Sequence, residues 1–210
     1  MGQKESSSPD VKESMNTTII LIGPLSTGKS TIASLLAQTL NLPRCELDKV
    51  RWNYYREIGY DDAAASDMAR SEHGLMRLLH YSKPFEAHAV ERVLADHHGV
   101  IDFGASHSVY EDEQLFTRVQ KALAPFPYVI LLLPSPDLDE SVTIVNARFA
   151  MKVNKDVSEV GDDVLLLNEQ FVKHPSNHLL AKRVIYTKDK TPQETCAEIV
   201  ANLGLSGEDV

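Results

Sequence analysis

The chain has 210 residues, 43% hydrophobic and 24% charged, a composition that excludes wholesale disorder and predicts one folded domain with appendages. Its 21 Lys and Arg residues against 30 Asp and Glu residues give a formal net charge of -9, which argues against nucleic acid as a partner because such a surface repels phosphate backbones. The same charge balance favours a small-molecule ligand. The two cysteines, Cys45 and Cys196, are far apart in sequence, which argues against both a disulfide framework and a zinc site, and we expect a cytoplasmic protein.

Residues 1–16 are rich in Ser, Glu and Lys and cannot bury apolar area, so they predict a disordered N-terminal tail. Gly2 and Ser6 match the spacing of an N-myristoylation site, a short pattern that usually arises by chance in a polar tail. No run approaches the roughly 20 apolar residues that span a bilayer, so no membrane segment is expected. We predict a folded domain over residues 17–204 and a short C-terminal tail over residues 205–210.

Five apolar segments predict β-strands, and helical patterns alternate with them. The first, TTIILI, carries branched residues on both faces, which is typical of a buried parallel strand. The others, in chain order, are RCEL, GVIDFG, PYVILLLP and KRVIYT. This alternation predicts an α/β fold, a three-layer sandwich around a central five-stranded parallel sheet with right-handed crossovers.

Apolar stripes and end signals locate the helices. Residues 32–40 carry one apolar stripe, and residues 61–98 predict two helices separated at Pro84, whose ring forbids a smooth continuation. Ser108 and Glu111 have capping-box spacing and predict the start of the next helix. The sequence TPQE, residues 191–194, predicts the start of the last helix through a cap, a first-turn proline and a reciprocal glutamate.

The stretch from Ser141 to Lys173 differs from the other helical segments, because charged residues occur on most of its faces. This pattern indicates a mobile cover rather than a core element, and we predict a helical lid over about 146–173.

The turn GPLSTGKST, residues 23–31, follows the first strand and has the spacing G-x-x-x-x-G-K-[ST], met by Gly23, Gly28, Lys29 and Ser30. Its glycines let backbone N–H groups converge on an anion, and the following helix adds its positive N-terminal end. We expect Lys29 to reach the β- and γ-phosphates of a nucleotide and the Ser30 hydroxyl to ligate Mg²⁺. The other predicted phosphate contacts are Ser26, Thr27 and, on the α-phosphate side, Thr31. The alternative is a glycine turn that merely packs.

Proteins with such a loop include ATPases, GTPases and kinases of small acceptors, so other residues must distinguish these classes. A GTPase is expected to carry an N-K-x-D element after a strand. The sequence NKD at residues 154–156 lacks this form and lies in a polar helical stretch, so we set this class aside.

The loop, its flanks and the acidic sequence ELD after the second strand resemble the shikimate kinase-like branch of the nucleoside-monophosphate-kinase superfamily, over roughly residues 17–203. The resemblance implies the P-loop kinase strand order 2-3-1-4-5 and the use of ATP and Mg²⁺. It implies that Glu46 lies near Mg²⁺ through water, that Asp102 orders the magnesium shell, and that Asp48 accepts or orients the proton of an acceptor hydroxyl. It also implies cations from the lid, with Arg148 first and Lys152 second, and adenine contacts from residues 174–182, including Lys182.

Plainer interpretations of the acidic residues remain open. Asp48 precedes a helical pattern and can serve as its N-cap, and Asp102 can be a solvated carboxylate at a strand end. For Glu46 the magnesium role and a purely structural role are weighted equally.

Two departures from shikimate kinases bear on the acceptor. Glu86 occupies the position of the arginine that grips the substrate carboxylate, and Gly104-Ala105-Ser106 replaces a triple-glycine turn. An anionic ring acid would therefore meet the wrong charge, and we do not expect a true shikimate kinase.

The sequence predicts instead an acceptor pocket that suits a polyhydroxylated or amine-bearing molecule. Besides Glu46 and Asp48, its predicted residues are Arg51, Trp52, Tyr55, Glu86, Ser106 and His107. Trp52 and Tyr55 can equally be packing residues, and His107 can serve only to bond the backbone.

These features predict an ATP- and Mg²⁺-dependent phosphotransferase acting on a hydroxyl group of a small-molecule acceptor. A nucleoside or nucleotide kinase and a non-catalytic ATP-binding switch remain alternatives. A polynucleotide end kinase is disfavoured by the net charge of -9.

Overall fold

The computed structural model describes residues 17–204, so both predicted tails and the Gly2–Ser6 pattern lie outside the described residues. All five predicted strands are present, and every pairing between them is parallel. Their bounds are Ile19–Ile22 (β1), Arg44–Glu46 (β2), Val100–Asp102 (β3), Tyr128–Leu133 (β4) and Arg183–Tyr186 (β5). The order in the sheet is β2-β3-β1-β4-β5, which confirms the predicted strand order 2-3-1-4-5.

The helices between and after the strands are Lys29–Thr39 (α1), Leu47–Glu57 (α2), Asp62–Ala69 (α3), Gly74–Asp96 (α4), Glu113–Leu123 (α5), Leu138–Lys152 (α6), Asp162–Lys173 (α7), Pro175–Leu180 (α8) and Pro192–Leu203 (α9). Two short 3-10 turns, Ala105–Ser108 and Val157–Glu159, complete the described elements. No helix in this part of the chain is long and apolar enough to cross a membrane.

The central strand β1 explains the three layers. Its four residues are fully buried, and successive side chains of a strand point to opposite faces. Ile19 and Leu21 pack with side chains of α1 and α9, whereas Ile20 and Ile22 pack with side chains of α2, α4 and α5. Helices therefore cover both faces of the sheet, as the apolar sequence of this strand predicted.

The break within residues 61–98 lies at a different place from the predicted one. Pro84 is inside α4, and the chain turns instead between α3 and α4, where His73 has a left-handed φ of 55°. A β-carbon on Gly74 would lie 2.3 Å from the Ala69 carbonyl oxygen, so only glycine permits this close turn. The helix tolerates Pro84 because the carbonyl left without a donor belongs to exposed His80, where water can reach it.

The start of α5 is also corrected. Asp112 is its N-cap and accepts a hydrogen bond from Leu115 N at 2.9 Å, whereas Ser108 is buried in the preceding 3-10 turn and donates to Asn177 Oδ1 at 2.7 Å. Ser108 is therefore not the cap, because its hydroxyl is used in a buried hydrogen bond elsewhere. At α9 the predicted capping box is confirmed, because Thr191 N donates to Glu194 Oε2 and Glu194 N donates to Thr191 Oγ1.

The stretch from Ser141 to Lys173 forms α6, a connection and α7, and it buries more than its charge pattern indicates. Val145 and Val172 are fully buried, and Asn168 Nδ2 donates to Asn146 Oδ1 at 2.8 Å across the two helices. The helices are thus tied to each other; their movement as a lid stays a prediction.

Candidate active site

The loop of residues 23–28 connects the carboxyl end of β1 to the N-terminus of α1. Gly23 and Gly28 have φ values of 132° and 93°, and a β-carbon on Gly23 would lie 2.5 Å from the Leu132 carbonyl oxygen. Both positions therefore require glycine. Gly28 is the N-cap of α1 without a side-chain cap, so the first N–H groups of that helix have no partner within the helix and are available to an anion.

Lys29 is buried within this loop, and its Nζ donates to the Pro24 carbonyl oxygen at 2.7 Å. Burial lowers its pKa to about 8, while the carboxylates of Asp102 and Asp48 act in the opposite direction and Lys152 adds to the lowering. The pKa of Lys29 is thus influenced by acidic residues of β3 and α2 and by a cation of α6.

One cavity of about 340 Å³ contains the loop and the residues predicted to act on its ligand. Besides loop residues 25–31, its lining includes Asp48, Gly104, Arg148 and Lys152. Lys29 and Asp48 therefore face a shared space, and the two predicted lid cations line it as well. A larger cavity, about 600 Å³, lies between α1 and α9 but has no charged side chain in its lining, so the chemistry favours the smaller one.

The acidic residues at the carboxyl ends of β2 and β3 are adjacent through strand register, which places Glu46 opposite Asp102. Arg44 bridges them, with Nη1 3.3 Å from Glu46 Oε1 and Nη2 3.3 Å from Asp102 Oδ2. Burial raises the pKa of Asp102, and hydrogen bonding from Ser30, followed by the charges of Lys29 and Arg44, opposes that rise. The sequence interpretation missed Arg44, although its position two residues before Glu46 puts both side chains on one face of β2.

These groups fit a magnesium ion that takes most of its ligands from phosphate and water. The described residues contain no group of three or more His, Cys, Asp or Glu side chains that could hold a metal alone. Mg²⁺ at nucleotides needs only one or two protein oxygens, and the Ser30 hydroxyl and the Asp102 carboxylate would supply them. Glu46 is already paired with Arg44 and with Lys49 at 2.7 Å, so its predicted role fits only through water.

Asp48 lies in the first turn of α2 and is not its N-cap, which is Glu46 without a side-chain cap. Asp48 is largely exposed, and its Oδ1 lies 3.0 Å from Arg51 Nη1. The Arg51 guanidinium stacks over the Trp52 ring, 4.7 Å from its centroid. This carboxylate is thus held at the cavity by a partner on its own helix.

The two predicted aromatic residues differ in exposure. Tyr55 is buried, and its ring packs against Trp52, Tyr60 and Phe85 at centroid distances of 5.4, 5.2 and 5.9 Å. Trp52 is 36% exposed at the edge of this cluster. Tyr55 is therefore a packing residue whose hydroxyl reaches His107 Nε2 at 3.2 Å.

Glu86 lies beneath the cavity rather than on its rim. It is 3% exposed, and Lys83 Nζ, 2.7 Å from its Oε2, also donates to the Ser106 carbonyl oxygen at 2.9 Å. Burial disfavours the Glu86 carboxylate, but the charge of Lys83 and hydrogen bonds from Lys83 and Ser106 hold its pKa below the ordinary value. The sequence interpretation missed Lys83, which gives the buried charge a partner three residues earlier on α4.

The remaining predicted contacts separate into two groups. Arg148 lines the cavity and donates through Nη1 to Thr187 Oγ1 at 3.1 Å, at the carboxyl end of β5. Lys182 precedes β5, at the opposite edge of the sheet from the loop, and its N–H donates to the Val129 carbonyl oxygen. Parallel strands have all their carboxyl ends at one edge, so Lys182 is excluded from the nucleotide site.

The segment before Lys182 has a structural task. Asn177 is fully buried, accepts from Ser108 Oγ and donates through Nδ2 to the Phe171 carbonyl oxygen at 2.7 Å. Ser176 Oγ accepts from Tyr110 N at 3.3 Å. Helix α8 therefore fixes the 3-10 turn that carries His107.

Comparisons with known proteins locate this arrangement among solved structures. No protein-family model matches the chain, and no curated protein matches its sequence. A shikimate kinase from Acinetobacter baumannii in complex with shikimate superposes with a TM-score of 0.59 at 16% identity, covering 91% of this chain and 96% of that one. A gluconokinase from Sinorhizobium meliloti 1021 gives 0.56 at 13% identity, covering 90% and 93%.

A shikimate kinase from Aquifex aeolicus vf5 also matches, with a TM-score of 0.52 at 19% identity, covering 89% of this chain and 95% of that one. Identities this low establish a shared fold and leave the activity to be argued from the site. The chain has the fold of the P-loop small-molecule kinases.

Proposed function

We propose that this protein is an ATP- and Mg²⁺-dependent phosphotransferase that acts on a hydroxyl group of a small-molecule acceptor. The observation that carries the proposal is the shared cavity, whose lining includes Lys29, the N-terminus of α1 and Asp48. The first two groups suit a triphosphate, and a carboxylate facing them suits an alcohol.

In this reaction the acceptor oxygen attacks the γ-phosphorus of ATP as its proton passes to the Asp48 carboxylate. The new O–P bond forms while the bond between γ-phosphorus and the bridging oxygen breaks, and the electron pair leaves on the β-phosphate of ADP. Lys29, Arg148 and Lys152 line the cavity and offset charge on the phosphate oxygens. Mg²⁺, held by Ser30 and Asp102, supplies further positive charge at the phosphates when bound.

The acceptor is a polyhydroxylated or amine-bearing molecule rather than a carboxylic acid. Glu86 already pairs with Lys83 beneath the site, and Arg51 already pairs with Asp48, so neither cation is free for a substrate carboxylate. Aromatic area at exposed Trp52 provides an apolar wall for a ring or carbon chain.

The test is incubation of the protein with Mg·ATP and a panel of sugars, aminocyclitols, nucleosides and hydroxy amino acids, followed by mass spectrometry for a phosphorylated acceptor. We expect one class to be phosphorylated and Lys29→Met and Asp48→Asn to lower the rate by about 10²-fold or more. Lys182→Met is the matched control, because it removes the same charge at the opposite edge of the sheet and should leave the rate unchanged.

Two results would contradict the proposal. Undiminished turnover in Lys29→Met would remove the loop from the chemistry. Binding of ATP without any phosphorylated product across the panel would favour a nucleotide-dependent switch.

A further inference from the structure

His107 is a fully buried imidazole with one unused nitrogen. It lies in the 3-10 turn after β3, and its Nδ1 has no hydrogen-bond partner in the described part of the chain. An unsatisfied buried polar atom costs about 1–3 kcal/mol, so its retention needs an explanation.

The other nitrogen of this ring decides which one carries the proton. His107 Nε2 lies 3.2 Å from the hydroxyl of Tyr55, which is itself buried in the aromatic cluster. The tautomer of His107 sets the direction of this bond, and a phenol that donates its single proton here makes Nε2 the acceptor. In the neutral ring the proton then resides on Nδ1, which makes Nδ1–H a donor.

The charged groups around the ring leave it neutral. Burial lowers the pKa of His107, and it outweighs the opposing effect of the Glu86 and Asp48 carboxylates; Arg51 and Lys83 add to the lowering. The ring therefore has one N–H to offer.

His107 Nδ1 and Asp48 Oδ1 both lie beside Gly104. A β-carbon on Gly104 would lie 2.3 Å from Asp48 Oδ1 and 2.7 Å from His107 Nδ1, so both atoms border one point above the glycine. Gly104 has an ordinary φ of -62°, which means that space rather than backbone conformation requires glycine here.

We propose that His107 is a positioning residue for Asp48. The Tyr55 hydroxyl fixes the ring tautomer, and His107 Nδ1–H receives the Asp48 carboxylate when it leaves Arg51. The Asp48 side chain thus has two positions. In the structure it is exposed and pairs with Arg51, and in the second position it accepts from His107 and directs its free oxygen at the acceptor hydroxyl. The catalytic part of this inference rests on the proposed function, since it assigns Asp48 as the proton acceptor.

The tautomer and the coupling can be measured without any substrate, by long-range ¹H–¹⁵N spectra of the full chain labelled with ¹⁵N-histidine. We expect His107 to be neutral with its proton on Nδ1, and its Nδ1 resonance to shift in Asp48→Asn. Asp67→Asn is the matched control, because it neutralises an exposed carboxylate that pairs with Arg70 on the surface, and it should leave that resonance in place. A proton on Nε2, or an Nδ1 resonance that ignores Asp48→Asn, overturns the proposal.

Two replacements of His107 separate positioning from folding. The side-chain amide of His107→Asn keeps a donor near the Nδ1 position, whereas that of His107→Gln reaches the Nε2 position and leaves Asp48 without its donor. We expect turnover to fall by about 10²-fold in His107→Gln, with the KM for ATP unchanged, and to recover at least tenfold in His107→Asn. Equal losses in both variants at equal melting temperatures contradict the role.

The two proposals fail differently. If the wild-type protein shows the expected tautomer and coupling but yields no phosphorylated product, the His107–Asp48 contact is supported and the kinase assignment is contradicted. If the protein is an active kinase but His107 carries its proton on Nε2, the kinase assignment is supported and the positioning role of His107 is contradicted.

Discussion

Raising the pH should weaken ATP binding through Lys29 alone. The pKa of this buried amine is lowered to about 8 in the free protein, first because of burial. The triphosphate needs the charged ammonium, so above this pH the protein must take up a proton when it binds ATP. The sign follows from the two pKa values, because the bound state keeps the proton to a higher pH than the free state.

The magnitude follows from the same linkage. Below pH 8 Lys29 is charged with or without ATP, and the Kd should be flat. Above pH 8 the Kd should rise about tenfold for each pH unit, or about 1.36 kcal/mol. The phosphates of ATP do not titrate in this range, because phosphate loses its last proton at about pH 6. The thiol of Cys45 does not titrate there either, because burial raises its pKa to about 11.

The assay is titration of a fluorescent ATP analogue at constant ionic strength between pH 7 and about pH 9.5, with Lys29→Met as control. Methionine keeps the length of the stem but cannot ionise, so its Kd should be weaker at pH 7 and should not change above pH 8. A wild-type Kd that is flat up to pH 9.5, or an equal slope in the variant, would refute the reasoning about Lys29.

Three further substitutions test the packing around the site. Gly104→Ala should cost about 1–3 kcal/mol of unfolding free energy, because its β-carbon would lie 2.7 Å from Nδ1 of the fully buried His107, and turnover should fall because it would also displace Asp48 Oδ1. Lys83→Met should cost about 3–5 kcal/mol in urea denaturation, since it leaves Glu86 buried and unpaired, and adding Glu86→Leu should restore most of that loss. Thr191→Ala should cost about 1 kcal/mol by removing the α9 cap, with ATP affinity unchanged.

Each of these has a distinct opposing outcome. Gly104→Ala with full turnover would mean that Asp48 does not need the space above the glycine. A Lys83→Met variant as stable as the wild type would show that the buried carboxylate is neutralised in another way. A change of ATP affinity in Thr191→Ala would connect the N-terminal cap of α9 to the site.

The fold could be predicted because its determinants are local. The apolar run of β1, the glycine turn and the stripe of α1 lie next to one another in sequence, and each specifies its element without help from distant residues. The strand order came from the resemblance, since no periodicity states which parallel strands are neighbours. The facing of Lys29 and Asp48 followed from topology, because carboxyl ends of parallel strands meet at one edge.

The wrong predictions concern positions whose local structure depends on contacts with other parts of the chain. Ser108 looked like a helix cap but bonds Asn177, which lies 69 residues further along the chain. Pro84 looked like a break, yet Gly74 makes the turn through its close approach to the end of α3. Lys182 was assigned to the nucleotide from its place in the family pattern, although it precedes β5, and it is Thr187 beyond the far end of that strand that contacts the cavity residue Arg148.

The charge arrangement explains how a chain with a net charge of -9 can favour a triphosphate. Lys29 rests on the Pro24 carbonyl rather than on a carboxylate, and its lowered pKa indicates that Asp48 and Asp102 do not fully compensate its burial. The positive charge of Lys29 in the loop is therefore not fully neutralised, even though the chain as a whole carries an excess of negative charge. Fields from exposed charges fade over about 8 Å at physiological salt, so a compact anion in the cavity responds chiefly to this local deficit. A long polyanion would also be repelled by the net negative charge of the whole chain, so we expect this site to prefer a nucleotide to a nucleic acid.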